Sequence, residues 1–237
     1  MKLGIMQPYF FPYIGYWQLI NMVDKHVIFD DVYYIKKGWI NRNRILMNGK
    51  ETTINIQIQK ASQNKLINET NLVFEPEYTQ KLLKTIKHCY TKSPYFDDVF
   101  PLLENILSQS ETNLAKYLHY LISKICEYLN IKTDIITSSS LCNNKNLKGQ
   151  DKIIDICKIV GADEYINPIG GRELYSFTEF RKNGIKLSFL KPGNITYKQF
   201  NNAFVPNLSI IDVLMFNPVH IIREYLNNYE LINEEDN

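Results

Sequence analysis

Lys2-Leu3-Gly4-Ile5-Met6 is a short apolar run halted by Gln7-Pro8, Tyr16 to Val23 has the apolar content of a helix, and Lys25-His26-Val27-Ile28-Phe29 is a second apolar run closed by Asp30-Asp31. Strand, loop, helix and strand within about 30 residues is the pattern of a βαβ unit. Such units place parallel strands side by side through a right-handed crossover. This opening makes the fold class α/β.

Working outward, Arg44–Met47 and Thr52–Ile58 flank Asn48-Gly49, a strong hairpin turn. Ile54, Ile56 and Ile58 alternate with Thr53, Asn55 and Gln57, as in a half-exposed strand. Pro76–Tyr90, Asp97–Ser108 and Glu111–Leu129 read as helices. The last has an unbroken apolar stripe from Leu114 through Leu118, Leu121 and Ile125. Strands are then expected at 133–137, 164–166 and 185–190, and helices at 149–160, 176–182, 209–216 and 218–227. The architecture implied is a Rossmann-like, mainly parallel sheet with flanking helices and a helical lobe inserted at about 76–129. Residues 1–232 form one α/β domain, and 233–237 an acidic tail expected to fray.

With 237 residues, 27 Lys and Arg against 25 Asp and Glu, and 45% hydrophobic residues, the chain has the composition of a globular protein. A net charge of +2 argues against life on a polynucleotide, an aminoacyl-tRNA donor excepted. No apolar run approaches the ~20 residues of a membrane span, and the N-terminus lacks the features of a signal peptide. Cys89, Cys126, Cys142 and Cys157 are far apart, which reads as reduced structural thiols of a cytoplasmic protein. His26, His88, His119 and His220 show no metal-ligand spacing, so no metal is expected.

Three segments carry candidate chemistry. The loop Gln7-Pro8-Tyr9-Phe10-Phe11-Pro12-Tyr13-Ile14-Gly15-Tyr16 follows the first strand, where open α/β sheets bind ligands. Gly15 would let an anion approach the following helix. The spacing of its prolines and glycine is similar to a nucleotidylyltransferase phosphate loop, with Tyr13 and Tyr16 where histidines would stand. The alternative is a rigid aromatic plug. Asp30 and Asp31, alternating across a strand, offer one carboxylate to a cleft as base or amine clamp, or both cap a turn. Lys36-Lys37-Gly38-Trp39-Ile40-Asn41-Arg42-Asn43-Arg44 gathers cations, an indole and two amides, suited to a small phosphorylated ligand or else to a solvated turn. Weaker candidates are Ser139 within Ser138-Ser139-Ser140, Gly170-Gly171-Arg172, and Asp212, whose burial would require a partner such as Tyr197, Gln199 or Arg172.

Taken with Phe29-Asp30-Asp31-Val32, Ile159-Val160-Gly161-Ala162-Asp163-Glu164-Tyr165, Gly170-Gly171, Tyr175, Tyr197-x-Gln199 and Leu208-Ser209-Ile210-Ile211-Asp212, these segments resemble the WbqC-like protein family over essentially the whole chain. Asn167-Pro168 departs from the pattern, where a smaller residue is expected. Members occur with genes for O-antigen and other surface polysaccharides, and a glycine transferase role has been proposed for the family. The resemblance implies transfer of a glycyl or aminoacyl group to the amine of a nucleotide-linked amino-deoxy sugar. An activated amino-acid donor is then required, and ATP with magnesium if the donor is an adenylate. On this reading Asp30 or Asp31 is the base, and amides near Gly15 or Gly170-Gly171 stabilise the oxyanion. Lys37, Arg42 and Arg44 hold the diphosphate, and Tyr9, Tyr16 or Trp39 stack. Gln7, Tyr13, Asn41, Ser139, Arg172 and Gln199 complete the candidate binding set. The competing readings are a noncatalytic nucleotide-sugar-binding or assembly protein and a nucleotidylyltransferase-like enzyme.

Overall fold

The computed structural model describes residues 1–73, 75–141, 145–201 and 203–234. Cys142 and the last three residues of the expected tail lie outside them. At the centre is β1 (Lys2–Met6), paired in parallel with β2 (Lys25–Ile28) on one side and β6 (Glu164–Pro168) on the other. β5 (Asp134–Thr137) extends the sheet beyond β2, and β7 (Lys186–Pro192) extends it beyond β6, both in parallel. β8 (Tyr229–Ile232) closes the far edge antiparallel to β7, giving the order β5-β2-β1-β6-β7-β8. The fold is α/β with a mostly parallel six-stranded sheet.

Side-chain alternation splits the two faces. Leu3, Ile5, Val27, Tyr165, Leu187 and Phe189 pack on one face under α5 (Gly149–Val160) and α6 (Phe177–Lys182). On the other face, Ile166 and Leu190 meet Leu19 and Val23 at the end of α1 (Ile14–Met22), which α8 (Val219–Leu226) covers. The largest core joins α1 to α2 (Pro76–Tyr90), α3 (Phe96–Leu107), α4 (Leu114–Tyr128) and α7 (Ile210–Phe216). It also takes in a two-stranded sheet of β3 (Arg42–Met47) and β4 (Lys50–Asn55). Asn48 and Gly49, both at positive φ (51° and 74°), make the two-residue turn between them.

Two expectations change. β8 has only four residues and no apolar alternation, so its apolar content gave no signal; pairing with β7 orders it. The expected fraying does not begin at residue 233, because Asn233 meets the Ser188 hydroxyl at 2.9 Å and Glu234 accepts two bonds from Arg181. No helix among the described residues is long and apolar enough to cross a membrane. Cys126 and Cys157 are buried, and burial pushes their thiols up to about 12. Buried His26 is pushed down to about 3 for the same reason, so it is neutral in the folded chain.

Candidate functional site

The sheet changes direction between β1 and β6: the chain builds outward from β1 to β2 and β5, then returns across β1 to lay down β6 and β7. Loops leaving the carboxyl ends of neighbouring strands on either side of such a point diverge and leave a crevice. A cleft of about 490 Å³ lies there, within the usual size range of small-molecule sites. Tyr9, Tyr13, Trp39 and Arg44 line it, together with Lys191 at the end of β7 and Asn207.

The β1 loop reaches the cleft because it is stapled from three directions. Asn43 Nδ2 donates to the carbonyls of Phe10 (3.0 Å) and Phe11 (2.8 Å), and Ser209 Oγ donates to Phe11 O (2.8 Å). Trp17 Nε1 donates to Pro12 O at 2.9 Å, and Phe10 N donates to Trp39 O at 3.0 Å. Phe10 and Phe11 are wholly buried. The plug and the ligand wall are therefore the same loop: Phe10, Phe11 and Tyr16 form the plug, and Tyr9 and Tyr13 face the cleft. Burial raises the phenols of Tyr9 and Tyr13, so both stay protonated and able to donate.

Gly15 has a different role from the expected one. A Cβ there would meet the Tyr13 ring at 2.6 Å, and Gly15 is buried. The missing side chain makes room for tyrosine, and the start of α1 is closed to an anion. Gly15→Ala is expected to push Tyr13 out of the cleft wall at a stability cost below about 1.5 kcal/mol, since a side-chain ring end can yield. A loss of ligand affinity with an almost unchanged melting temperature is the result to look for.

Arg44 stands over the Trp39 ring, its guanidinium carbon 5.2 Å from the centroid, and pairs with Glu51 at 2.6 Å. Lys191 pairs with Glu230 at 3.1 Å. Both pairs are partly exposed and contribute little stability. They hold the cations in place without removing them from a ligand's reach. Arg42 also lies over Trp39, at 5.9 Å, but its Nε donates to Gly38 O and its Nη2 to Lys37 O. It braces the loop, while Lys37 points into solvent at the loop's tip.

Asp30 and Asp31 line or adjoin a second cavity, of about 650 Å³, at the β2–β5 edge. They do not alternate to opposite sides as expected. β2 ends at Ile28 and Asp30 N bonds back to Ile28 O, so strand geometry no longer holds at these two residues. The Ser138 hydroxyl lies within hydrogen-bond reach of both carboxylates and shares its one proton between them. Asp30 is 3% exposed and also accepts from Ser139 N (2.9 Å) and Ser139 Oγ (2.6 Å), capping the 3-10 turn Ser138–Ser140. Asp31 forms a buried ion pair with Lys152 of α5 at 2.7 Å, the two side chains 8% and 6% exposed. Asp31, Lys152, Ser139, Phe29 and Tyr33 face the cavity. His119 on α4 feels the Asp30 charge, yet burial keeps its pKa below the ordinary value.

The remaining candidates serve the fold. Tyr16 is 2% exposed, in edge contact with Trp17 and His26, its hydroxyl donating to Gln7 O at 3.2 Å. Asn41 accepts from Tyr34 (2.8 Å) and donates to Ile56 O (2.9 Å), which engages both ends of its amide. Gln199 is 1% exposed and spans Val205 and Asp212. Asp212 finds two of its three expected partners, Tyr197 (2.7 Å) and Gln199 (2.6 Å), and takes Tyr90 (2.9 Å) in place of Arg172. Gly170, Gly171 and Arg172 form the 3-10 turn Ile169–Leu174, from which Ile169 reaches the cleft. A Cβ on Gly171 would meet Asn167 Oδ1 at 2.5 Å, so the larger residue before the turn is accommodated by the glycine after it.

Lys152, Lys191 and Asn207 escaped the sequence reading. Lys152 had a usable signal: it sits among Ile153, Ile156 and Cys157 on the buried side of an otherwise apolar helix stripe, where a cation needs a carboxylate. Lys191 and Asn207 had none, since only the chain's return brings them to the cleft.

Fold and site together define an open, doubly wound α/β domain with an aromatic, cation-bearing cleft at its switch point. A family model described as the WbqC-like protein family matches residues 7–224, and the chain belongs to that family. It is 29% identical over 218 residues to a protein of Mycobacterium tuberculosis (strain ATCC 25618 / H37Rv) named "Uncharacterized protein Rv1507c", covering 90% of this chain and 92% of that one. No solved structure matches it.

Proposed function

We propose that the chain is an N-acyl transferase that places a glycyl or other aminoacyl group on the amine of a nucleotide-linked amino-deoxy sugar in surface-polysaccharide synthesis, with the nucleotide end in the switch-point cleft. The observation that carries this reading is the convergence of Tyr9, Tyr13 and Trp39 with Arg44 and Lys191 in one cleft. Rings supply faces for a base or sugar, and the guanidinium supplies a fork for a phosphate. The loop that gives Trp39 to the cleft gives Tyr33 to the cavity holding Asp31. A sugar amine reaching past that loop would meet the Asp31 carboxylate, held in place by Lys152 at 2.7 Å.

In the reaction, the neutral amine attacks the carbonyl carbon of the activated amino acid. A C–N bond forms, the activating group leaves with the electron pair of its bond to the acyl carbon, and the amine proton passes to Asp31. The donor is an adenylate, a thioester or an aminoacyl-tRNA. Incubation of the chain with nucleotide-linked amino sugars and activated glycine tests the reading by mass spectrometry: gain of one glycyl unit on the sugar supports it, and no gain with any donor class defeats it. Trp39→Ala is expected to weaken nucleotide-sugar binding roughly tenfold or more, as loss of a stacking face does. Titration calorimetry on the variant measures this.

One observation favours a noncatalytic nucleotide-sugar-binding protein. Every oxygen of Asp30 is engaged by serine donors, and Asp31 is held by Lys152. Under that alternative, Asp31→Asn leaves ligand affinity intact and there is no turnover to lose.

A further inference from the structure

Apart from buried Tyr34, the segment from Tyr33 to Trp39 is used neither by the core nor fully by the cleft. Five large apolar side chains stand well exposed among the described residues, and three of them lie here: Tyr33 (57%), Ile35 (51%) and Trp39 (41%). Between them are Lys36 and Lys37, both exposed. The surroundings are basic. Residues 30–69 hold seven Lys and Arg against four acids, Asp30, Asp31, Glu51 and Glu69, although the whole chain carries only +2. Each acid is engaged, Asp30 by serine donors, Asp31 by Lys152, Glu51 by Arg44 and Glu69 by Leu66 N.

The loop is also built to stay in place. Its base is fixed by Tyr34, whose N–H donates to Lys65 O (2.9 Å) and whose hydroxyl donates to Asn41, and by wholly buried Ile40. At the tip, Gly38 N closes on Ile35 O, and Arg42 donates to the carbonyls of Lys37 and Gly38. The tip thus supplies its own carbonyl partners. The carbonyls of Ile35, Lys37 and Gly38 are paired within residues 35–42, which lowers the cost of bringing the tip to a water-poor layer.

We infer that this loop docks the protein on an anionic lipid surface, with Ile35, Tyr33 and Trp39 entering the headgroup layer and Lys36 and Lys37 pairing with lipid phosphates. Aromatic and aliphatic side chains flanked by lysines are the composition of interfacial anchors. A nucleic acid would have use for the rings and cations but none for Ile35, and Arg42, which it would prefer to lysine, is engaged by the Gly38 and Lys37 carbonyls. The inference does not depend on the transferase reading: Trp39 also lines the cleft and Tyr33 the neighbouring cavity, but Ile35, Lys36 and Lys37 line neither, and the test needs no substrate.

The test is sedimentation of the full chain with vesicles of phosphatidylcholine alone and with about 30% phosphatidylglycerol. Binding to the second and not the first, reversed near 0.5 M salt where screening is nearly complete, supports the inference. Lys36→Glu/Lys37→Glu is expected to lower partitioning more than about thirtyfold, and Ile35→Ser severalfold. Neither is expected to change the melting temperature, since all three side chains are solvent-exposed. Absence of binding to the anionic vesicles at low salt, or binding that both variants leave unchanged, overturns it. So does tighter binding of a single-stranded RNA oligonucleotide than of the vesicles, if the lysine variant abolishes that binding.

Discussion

Asp212→Ala is expected to destabilise the folded chain by about 4 kcal/mol, read as a lowered denaturant midpoint at unchanged slope. Asp212 is wholly buried in α7 and accepts from Tyr90 of α2 and from Tyr197 and Gln199 of the segment before α7. Removing the carboxylate strands three donors in the core, each costing about 1–3 kcal/mol when left unmade. The contribution also depends on pH. Burial raises the Asp212 pKa above its ordinary 3.8, although its three donors pull the other way. Between the unfolded value and the raised folded value, the native state holds a proton that the unfolded chain has lost, so stability falls as pH rises through that window. The deficit of the alanine variant relative to wild type is therefore expected to widen on acidification through it. A deficit that stays flat there would show that Asp212 carries no such shift.

Asp31→Asn is expected to cost about 3 kcal/mol, because it leaves the Lys152 ammonium buried without its counter-charge. Lys152→Met is expected to cost a similar amount for the opposite reason. The double variant Asp31→Asn/Lys152→Met is expected to recover most of the loss, since it removes both buried charges together. A double-mutant cycle of thermal or denaturant unfolding measures the coupling. The same variants separate the two functional readings. A transferase loses turnover in the double variant while nucleotide-sugar affinity holds, whereas a binding protein changes only in stability.

Much of the fold was legible because its signals are local. The βαβ opening, the Asn48-Gly49 hairpin and the bounds of α2 and α5 each follow from apolar period, proline placement or turn chemistry within a few residues. The site was legible in composition and not in grouping. Tyr9, Tyr13, Trp39 and Arg44 do share a cleft, but beyond β2 Asp31 lines a different cavity and Asp30 is buried beside it. Tyr16, Asn41 and Gln199 read as ligand residues by their chemistry. Each instead bonds partners more than five residues away within the fold.

The sequence by itself determined that this is an α/β chain with aromatic and basic residues near the carboxyl ends of its opening strands, because strand and helix periods are properties of neighbouring residues. The tertiary structure decided which of those residues face a ligand. A side chain's hydrogen-bonding capacity is finite, and whether Asn43 staples a loop, Lys152 neutralises Asp31 or Gln199 meets Asp212 depends on what the fold brings within about 3 Å, a distance unrelated to separation along the chain.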